Sequence, residues 1–207
     1  MFKNKKIKYI FIFIICLIIG LIILLNLRNN KSKNLKVGNN INSQELVKNI
    51  LNLKEYECEI DVEITSNKNV NKYKIKQNYI KDVKSEQEIL EPQNIAGVKI
   101  IKEKNELKIE NTQLSLINIY KNFRELTENN LDLYSFISDY NSHKESEYIE
   151  KQEQILMNTE SKDENKYQKF KTLYISKEDG KPIKMEIKDA NKKNTIYIIY
   201  NRIDFKI

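Results

Sequence analysis

The apolar residues divide the chain into a continuous N-terminal run and a longer region with alternating patterns. The run from Tyr9 to Leu27 holds 19 residues without a charge, most of them Ile, Leu and Phe. A helix of this length covers about 30 Å, which is the hydrocarbon thickness of a bilayer. The run therefore predicts a single-pass transmembrane signal anchor that stays uncleaved.

Two other interpretations of this run are open. A cleaved secretory signal requires small residues in an A-x-A-like pattern, whereas the first alanine is Ala96 and Gly20 is the only small residue of the run. A lipoprotein signal would place the acyl chain on Cys16. No small residue stands before that cysteine, since Phe13-Ile14-Ile15 precede it. The uncleaved anchor fits the residues better than either cleaved form.

The polar segments on either side of the run set the expected organisation. Residues 1–8 form a short basic tail with four lysines, which favours a cytoplasmic N-terminus, although four basic residues also follow the run. Residues 28–41 are polar and predict a flexible linker spanning roughly 20 Å. We therefore expect a protein of the cell membrane whose main domain, residues 42–207, is extracytoplasmic.

The main domain begins with a helix signal and then changes to a period of two. Asn42 and Glu45 resemble a capping box, and apolar residues follow at helical spacing up to Leu51, which predicts a short helix. Residues 56–65 then alternate acidic with apolar side chains, and residues 72–79 alternate lysine with mostly apolar ones. This pattern predicts a hairpin with one buried and one solvated face. The acidic row is accordingly interpreted as the solvated face and not as paired catalytic carboxylates.

The buried face of this hairpin is the candidate site. We expect it either to fill the core or to line a cavity that holds a ligand. Its residues are Cys58, Ile60, Val62, Ile64, Tyr73, Ile75 and Tyr79.

The rest of the domain predicts more strands and two further helices. Strands are predicted at 86–90, 98–102, 106–110, 154–159, 167–175, 183–189 and 195–200, with a last one at 203–207, and helices at 114–126 and 131–140. The fold class is therefore α+β: an N-terminal transmembrane helix followed by a curved antiparallel sheet with helices covering one face.

The basic charge does not indicate nucleic-acid binding. The chain carries 36 Lys and Arg against 29 Asp and Glu, but eight of the basic residues and none of the acids lie in residues 1–40. The main domain is thus close to neutral, whereas nucleic-acid binders concentrate positive potential on the folded domain.

The composition also restricts the chemistry. One histidine and two cysteines are too few for a zinc site of the usual Cys/His type, and four glycines leave no nucleotide-binding loop. His143 would be the natural general base of an enzyme, yet it stands in a polar segment after a predicted helix, where we expect a surface residue. We expect no cofactor, no metal and no catalytic residue.

Several short stretches carry a resemblance to a known family. They are Leu90-Glu91-Pro92, Ile95-Ala96-Gly97-Val98, Ile109-Glu110-Asn111-Thr112, Leu173-Tyr174-Ile175 and Gly180-Lys181-Pro182-Ile183. With the order of the predicted elements, they resemble the GerS family of clostridial spore-germination lipoproteins and, more broadly, the LolA/LolB-like half-barrel of lipoprotein carriers. One departure is the poor acylation signal around Cys16.

The resemblance implies a non-enzymatic role in the spore envelope. The chain would be a partner of an N-acetylmuramoyl-L-alanine amidase of the CwlD kind, which helps form the muramic-δ-lactam of spore cortex peptidoglycan. Two alternatives stay open: a lipid or lipoprotein carrier or acceptor of the LolA/LolB kind, and a sensor ectodomain. The oligomeric state does not follow from the residues.

Overall fold

The computed structural model describes residues 42–123, 130–163 and 165–207. The predicted tail (1–8), anchor (9–27) and linker (28–41) lie outside these residues. Among the described helices, none has both the length and the apolar character that crossing a membrane requires.

Within the described ranges, two helices accompany one antiparallel sheet of eleven strands. The strands lie in the order β6-β5-β4-β3-β2-β1-β11-β10-β9-β8-β7. In chain order the elements are α1 (Ser43–Leu51), β1 (Glu55–Thr65), β2 (Val70–Ile80), β3 (Lys84–Glu91), β4 (Val98–Glu103), β5 (Glu106–Asn111), β6 (Leu116–Lys121), α2 (Leu133–Ser142), β7 (Glu147–Glu150), β8 (Gln154–Glu160), β9 (Phe170–Ser176), β10 (Pro182–Lys188) and β11 (Asn194–Lys206).

The helix α1 forms as its capping signal predicts. The side chain of Asn42 accepts a hydrogen bond from the backbone N–H of Gln44 at 3.1 Å, which satisfies one free donor of the first turn. Glu45 lies in that turn, where a negative charge interacts favourably with the helix dipole. Leu46 and Ile50 are buried beneath the helix and attach it to the sheet.

The predicted hairpin is confirmed as β1 and β2, at the centre of the sheet. Ile60 lies opposite Ile75 on the buried face, while on the other face Lys76 forms an ion pair with Glu57 at 2.7 Å. Exposed pairs of this kind contribute at most about 1 kcal/mol, whereas each buried aliphatic side chain contributes about 1.5–3 kcal/mol. Burial therefore dominates the stability of the hairpin.

The sheet curves around the N-terminal end of α2. The side chain of Asp132 accepts a hydrogen bond from Gln87 of β3, and Ser135 accepts one from Lys171 of β9 at 2.9 Å. In a flat sheet these strands, five positions apart, would be separated by about 24 Å. One short segment contacts both, which indicates that the strands wrap around it.

One predicted element is wrong. Residues 114–126 were expected to form a helix because apolar residues recur three or four positions apart. Within the described part of this segment, Leu116–Lys121 is instead the strand β6, and Leu114 lies in the preceding turn. All six residues of β6 are exposed, so neither face imposes the alternation that marks a strand.

Two smaller differences concern the C-terminal half. The predicted strands at 195–200 and 203–207 form one strand, β11, with an irregularity opposite Glu59 and Ile60. An extra residue of this kind interrupts the period-two pattern without ending the strand. The short strand β7 was not predicted, because its two acids and two apolar residues are all exposed.

Candidate functional site

The structure places the seven predicted site residues on one face of β1 and β2. Five of them are buried, and Ile64 and Tyr73 are partly buried against the same core. The buried five are Cys58, Ile60, Val62, Ile75 and Tyr79. They pack with apolar side chains of both helices and of β8–β11. This face thus forms the core, and Tyr79 extends it to the edge of an open pocket.

The pocket lies between strands β2–β5 and the N-terminal end of α2 and has a volume of about 400 Å³. The register brings its lining residues into one row, because Tyr79 lies opposite Ser85, Ser85 opposite Lys102, and Lys102 opposite Leu107. Further apolar lining comes from Val83, Ile100, Phe123 and Tyr134, and further lysines are Lys84 and Lys104. Asp82 and Asp132 also line the pocket, so its walls are apolar with charges of both signs, a lining suited to an amphiphilic ligand.

Three stacked tyrosine rings connect the core to this pocket. The ring centroid of Tyr79 lies 5.2 Å from that of Tyr56 and 4.9 Å from that of Tyr134. Burial raises the pKa of Tyr56 and of Tyr79, so both hydroxyls stay protonated at physiological pH. The stack therefore provides a rigid, uncharged wall.

Two buried glutamines attach the start of α2 to the sheet. Gln77 donates to the backbone oxygen of Leu131 at 3.1 Å, and Gln87 donates to the carboxylate of Asp132. Ser85 also donates to Asp132, at 3.3 Å. These contacts fix the wall of the pocket that α2 contributes. Sequence reasoning missed them, although Gln77 stands at an inward position between Ile75 and Tyr79, and a polar residue there was the available signal.

A buried ion pair attaches α2 to strand β9, in the other half of the sheet. The Lys171 side chain is 0% exposed, and its ammonium lies 2.5 Å from the Asp139 carboxylate, which is 2% exposed. The ammonium also donates to Ser135 at 2.9 Å and to Asn130 at 2.5 Å. Because buried charges are costly unless paired, we assign this cluster a structural role. The signal in the sequence was a lysine at the inward period of β9, two residues before the buried Leu173.

The structure places His143 at the C-terminal end of α2. It follows α2 directly, and its backbone N–H donates to the backbone oxygen of Asp139 at 2.9 Å. Its side chain is half-buried, less exposed than expected, and its Nε2 atom has no hydrogen-bond partner among the described residues. Within the same ranges, no cluster of three or more His, Cys, Asp or Glu side chains is arranged to hold a metal ion.

A second surface with binding character is the outer edge of the sheet at β6. Its large apolar side chains are between 51% and 65% exposed. We call this the β6 edge surface; it consists of Leu114, Leu116, Ile117, Ile119 and Tyr120. Exposed apolar edge strands pair readily with other chains, so the surface is a candidate protein interface.

The sequence matches no known family model and no curated protein. Among solved structures, the chain is similar to a chain of the complex between the CwlD amidase and the GerS lipoprotein of Clostridioides difficile. That alignment has 21% identity and a TM-score of 0.52 and covers 82% of this chain and 99% of the other. At 21% identity this likeness shows a shared fold and does not show a shared function.

Two further likenesses are weaker. A LolA superfamily protein from Nitrosomonas europaea aligns with 9% identity and a TM-score of 0.40, over 81% of this chain and 94% of the other. A chain of the Pseudomonas aeruginosa MucA/MucB complex aligns with 9% identity and a TM-score of 0.45, over 79% and 56%. Membership of the GerS family stays a prediction.

Proposed function

We propose that this chain is a membrane-anchored, non-enzymatic partner of a cell-wall amidase that acts in spore cortex modification and germination. The observation that carries the proposal is the fold shared over 99% of a chain from the GerS–CwlD complex. The short stretches that resemble the GerS family support it, as does an exposed apolar surface of the kind that protein partners cover.

The proposal includes the location. Residues 9–27 would anchor the chain in the cell membrane, with residues 42–207 outside the cytoplasm in the spore envelope. Alkaline carbonate washing of membranes should leave the full-length chain in the pellet. A shortened chain released into the wash would contradict the uncleaved anchor.

The amidase role is tested by capture from sporulating cells. The tagged full-length chain, solubilised from membranes with mild detergent, should retain an N-acetylmuramoyl-L-alanine amidase that mass spectrometry identifies. The matched control carries the same residues 1–41 fused to an unrelated domain. Reproducible absence of the amidase, or equal recovery with the control, would contradict the proposal.

A second assay reads the product of the pathway. Spores that lack this chain should have cortex peptidoglycan depleted of muramic-δ-lactam, because the partner amidase would not act. Normal muramic-δ-lactam content would contradict the proposed role even if an amidase were captured.

The pocket favours one second candidate function, the binding of a lipid or an acylated protein as in LolA/LolB-like carriers and acceptors. Its apolar lining, which includes Val83, Ile100 and Leu107, suits an acyl chain. Organic extraction of the purified chain should then release lipid at near-equal stoichiometry. L107K, inside the pocket, should abolish that lipid, whereas K177M, in the turn after β9 and outside the pocket lining, should not. An extract without lipid would rule this function out.

A further inference from the structure

Two neighbouring segments at one end of the strands concentrate lysines and aromatic rings. They are the connection from β8 to β9 and the turn from β10 to β11. The N–H of Ala190 donates to the oxygen of Lys166 at 2.8 Å. The N–H of Lys169 donates to the oxygen of Lys188, also at 2.8 Å, so the two segments are fixed side by side. We call their side chains the lysine–aromatic surface; it consists of Lys166, Tyr167, Lys169, Phe170, Lys192 and Lys193.

The aromatic rings of this surface hold lysine ammonium groups in place. The Nζ atom of Lys166 lies 5.1 Å from the ring centroid of Tyr167. Two more ammonium groups approach the ring of Phe170, that of Lys169 at 5.2 Å and that of Lys192 at 6.0 Å. The face of an aromatic ring attracts a cation at such distances. These contacts restrict the lysine rotamers, which lowers the entropy that the side chains lose when they bind a ligand.

The exposed charge of the surface is positive. Three of its lysines form no ion pair within the described residues; they are Lys166, Lys192 and Lys193. The acids of the same segments are mostly engaged or half-buried. Glu160 pairs with Lys169 at 3.7 Å, and the carboxylate of Asp189 accepts two backbone N–H groups of its own turn at 2.9 Å. Asp163 is half-buried. The surface therefore offers ammonium groups that an anionic partner can bind.

The chemistry of the surface fits a polymer that carries both carboxylates and sugar rings. Exposed ion pairs are individually weak, but several formed by one polymer act together. Tyr167 is 60% exposed, so its ring is accessible to the apolar face of a sugar. Peptidoglycan offers both groups, because its stem peptides carry carboxylates and its backbone is a glycan strand.

The position of the surface favours a wall polymer over a bilayer. The helix α1 lies at the other end of β9, since an added Cβ on Gly180 would lie 2.9 Å from Leu46 Cδ2. The 7 residues of β9 separate the two ends by about 20 Å. In the proposed location the linker joins the domain at the α1 end, away from the lysine–aromatic surface. Binding to a bilayer surface also requires a larger apolar area than the ring of Tyr167.

We infer that the lysine–aromatic surface binds peptidoglycan, through ion pairs between its lysines and the stem-peptide carboxylates. The inference rests on the extracytoplasmic location in the proposed function and goes beyond the amidase role. The chain would hold the polymer on which the amidase acts as well as the amidase itself.

Sedimentation with purified spore peptidoglycan tests the inference. The sacculi are first stripped of proteins and of phosphate-bearing polymers, and the full-length chain is added in mild detergent at about 50 mM salt. The wild type should sediment with the sacculi, and about 0.5 M salt should release it, because exposed ion pairs are screened. K166Q/K192Q/K193Q should lower the affinity about tenfold or more, since three exposed ion pairs are lost.

The matched control is K48Q/K81Q/K121Q, which removes the same charge from exposed lysines outside the surface and should bind like the wild type. Circular dichroism checks that both variants keep the sheet. A wild type that stays in the supernatant, or equal affinities of the two variants, would overturn the inference. The stripped sacculi contain no amidase, so this result is independent of the amidase capture and the muramic-δ-lactam assay, and the two proposals can fail separately.

A fluorescence measurement separates peptidoglycan from a membrane surface. In a C16S background, N191C places a polarity-sensitive fluorophore in the exposed turn between β10 and β11. The labelled full-length chain is reconstituted in phosphatidylcholine vesicles with or without anionic phosphatidylglycerol. Its emission should change when soluble peptidoglycan fragments are added and should be the same in both kinds of vesicle. A change caused by the anionic lipid and not by the fragments would assign the surface to the bilayer and overturn the inference.

Discussion

The buried pair of Lys171 and Asp139 makes a sharp prediction about stability. K171M removes the ammonium that neutralises the buried Asp139 carboxylate. The backbone N–H of Lys162 still donates to that carboxylate, at 3.1 Å. Removing one member of a buried ion pair costs about 3–5 kcal/mol. With a urea dependence of about 2 kcal/mol per molar, the unfolding midpoint should fall by about 1.5–2.5 M.

The assay is urea unfolding of the full-length chain, followed by far-ultraviolet circular dichroism. The matched control is K177M, because Lys177 pairs with the exposed Glu150 at the surface and its loss should leave the midpoint nearly unchanged. The double variant K171M/D139L removes both charges and should recover at least half of the loss. An effect of K171M no larger than that of K177M would refute the reasoning.

Three further predictions use the same preparation. G180A should lower the free energy of unfolding by about 1–3 kcal/mol, because Gly180 has φ +71° and an added Cβ would lie 2.9 Å from Leu46 Cδ2. An unchanged urea midpoint would contradict this. Burial raises the pKa of the Cys58 thiol, so in a C16S background N-ethylmaleimide at pH 7 should label it only after unfolding, and rapid labelling of the folded chain would contradict its burial. Burial opposes the ionisation of Glu186 and raises its pKa. Hydrogen bonds to the carboxylate, of which the one from Lys184 is the largest, outweigh burial and hold the pKa below its usual value. The ionised Glu186 stabilises the fold above the pKa of the unfolded chain, and this stabilisation is lost as the pH falls through the pKa of the folded chain. E186Q should therefore lose less stability than the wild type between about pH 5 and pH 3. Identical acid unfolding profiles would contradict a stabilising Lys184–Glu186 pair.

The parts of the fold that one buried face governs were predictable from the sequence. The β1–β2 hairpin shows this best, because Cys58, Ile60 and Val62 are buried at every second position of β1, a period that indicates a half-buried strand. The same reasoning found α1 from the cap at Asn42. The candidate site was predictable only in part, because the pocket is formed by side chains from strands distant in sequence, such as Tyr79 and Leu107.

The polar contacts of α2 could not be derived from periodicity. Gln77, Gln87 and Lys171 look like ordinary polar residues until the curvature of the sheet brings α2 over them. Their partners lie 32 to 54 positions away in the chain. The pattern within one strand shows that an inward position is polar, but it does not show which residue forms the hydrogen bond or ion pair with it.

The error at β6 has its physical origin in the exposure of the strand. Apolar residues at Leu116, Ile119, Tyr120 and Phe123 suggested one face of a helix. In the structure Leu116 and Tyr120 share one face of the strand with each other, and Ile119 lies on the opposite face. A strand that is apolar on both faces is normally covered on both, as in the interior of a sheet. At this exposed edge no buried face selects a period of two, so the spacing of the apolar residues alone could not separate a strand from a helix.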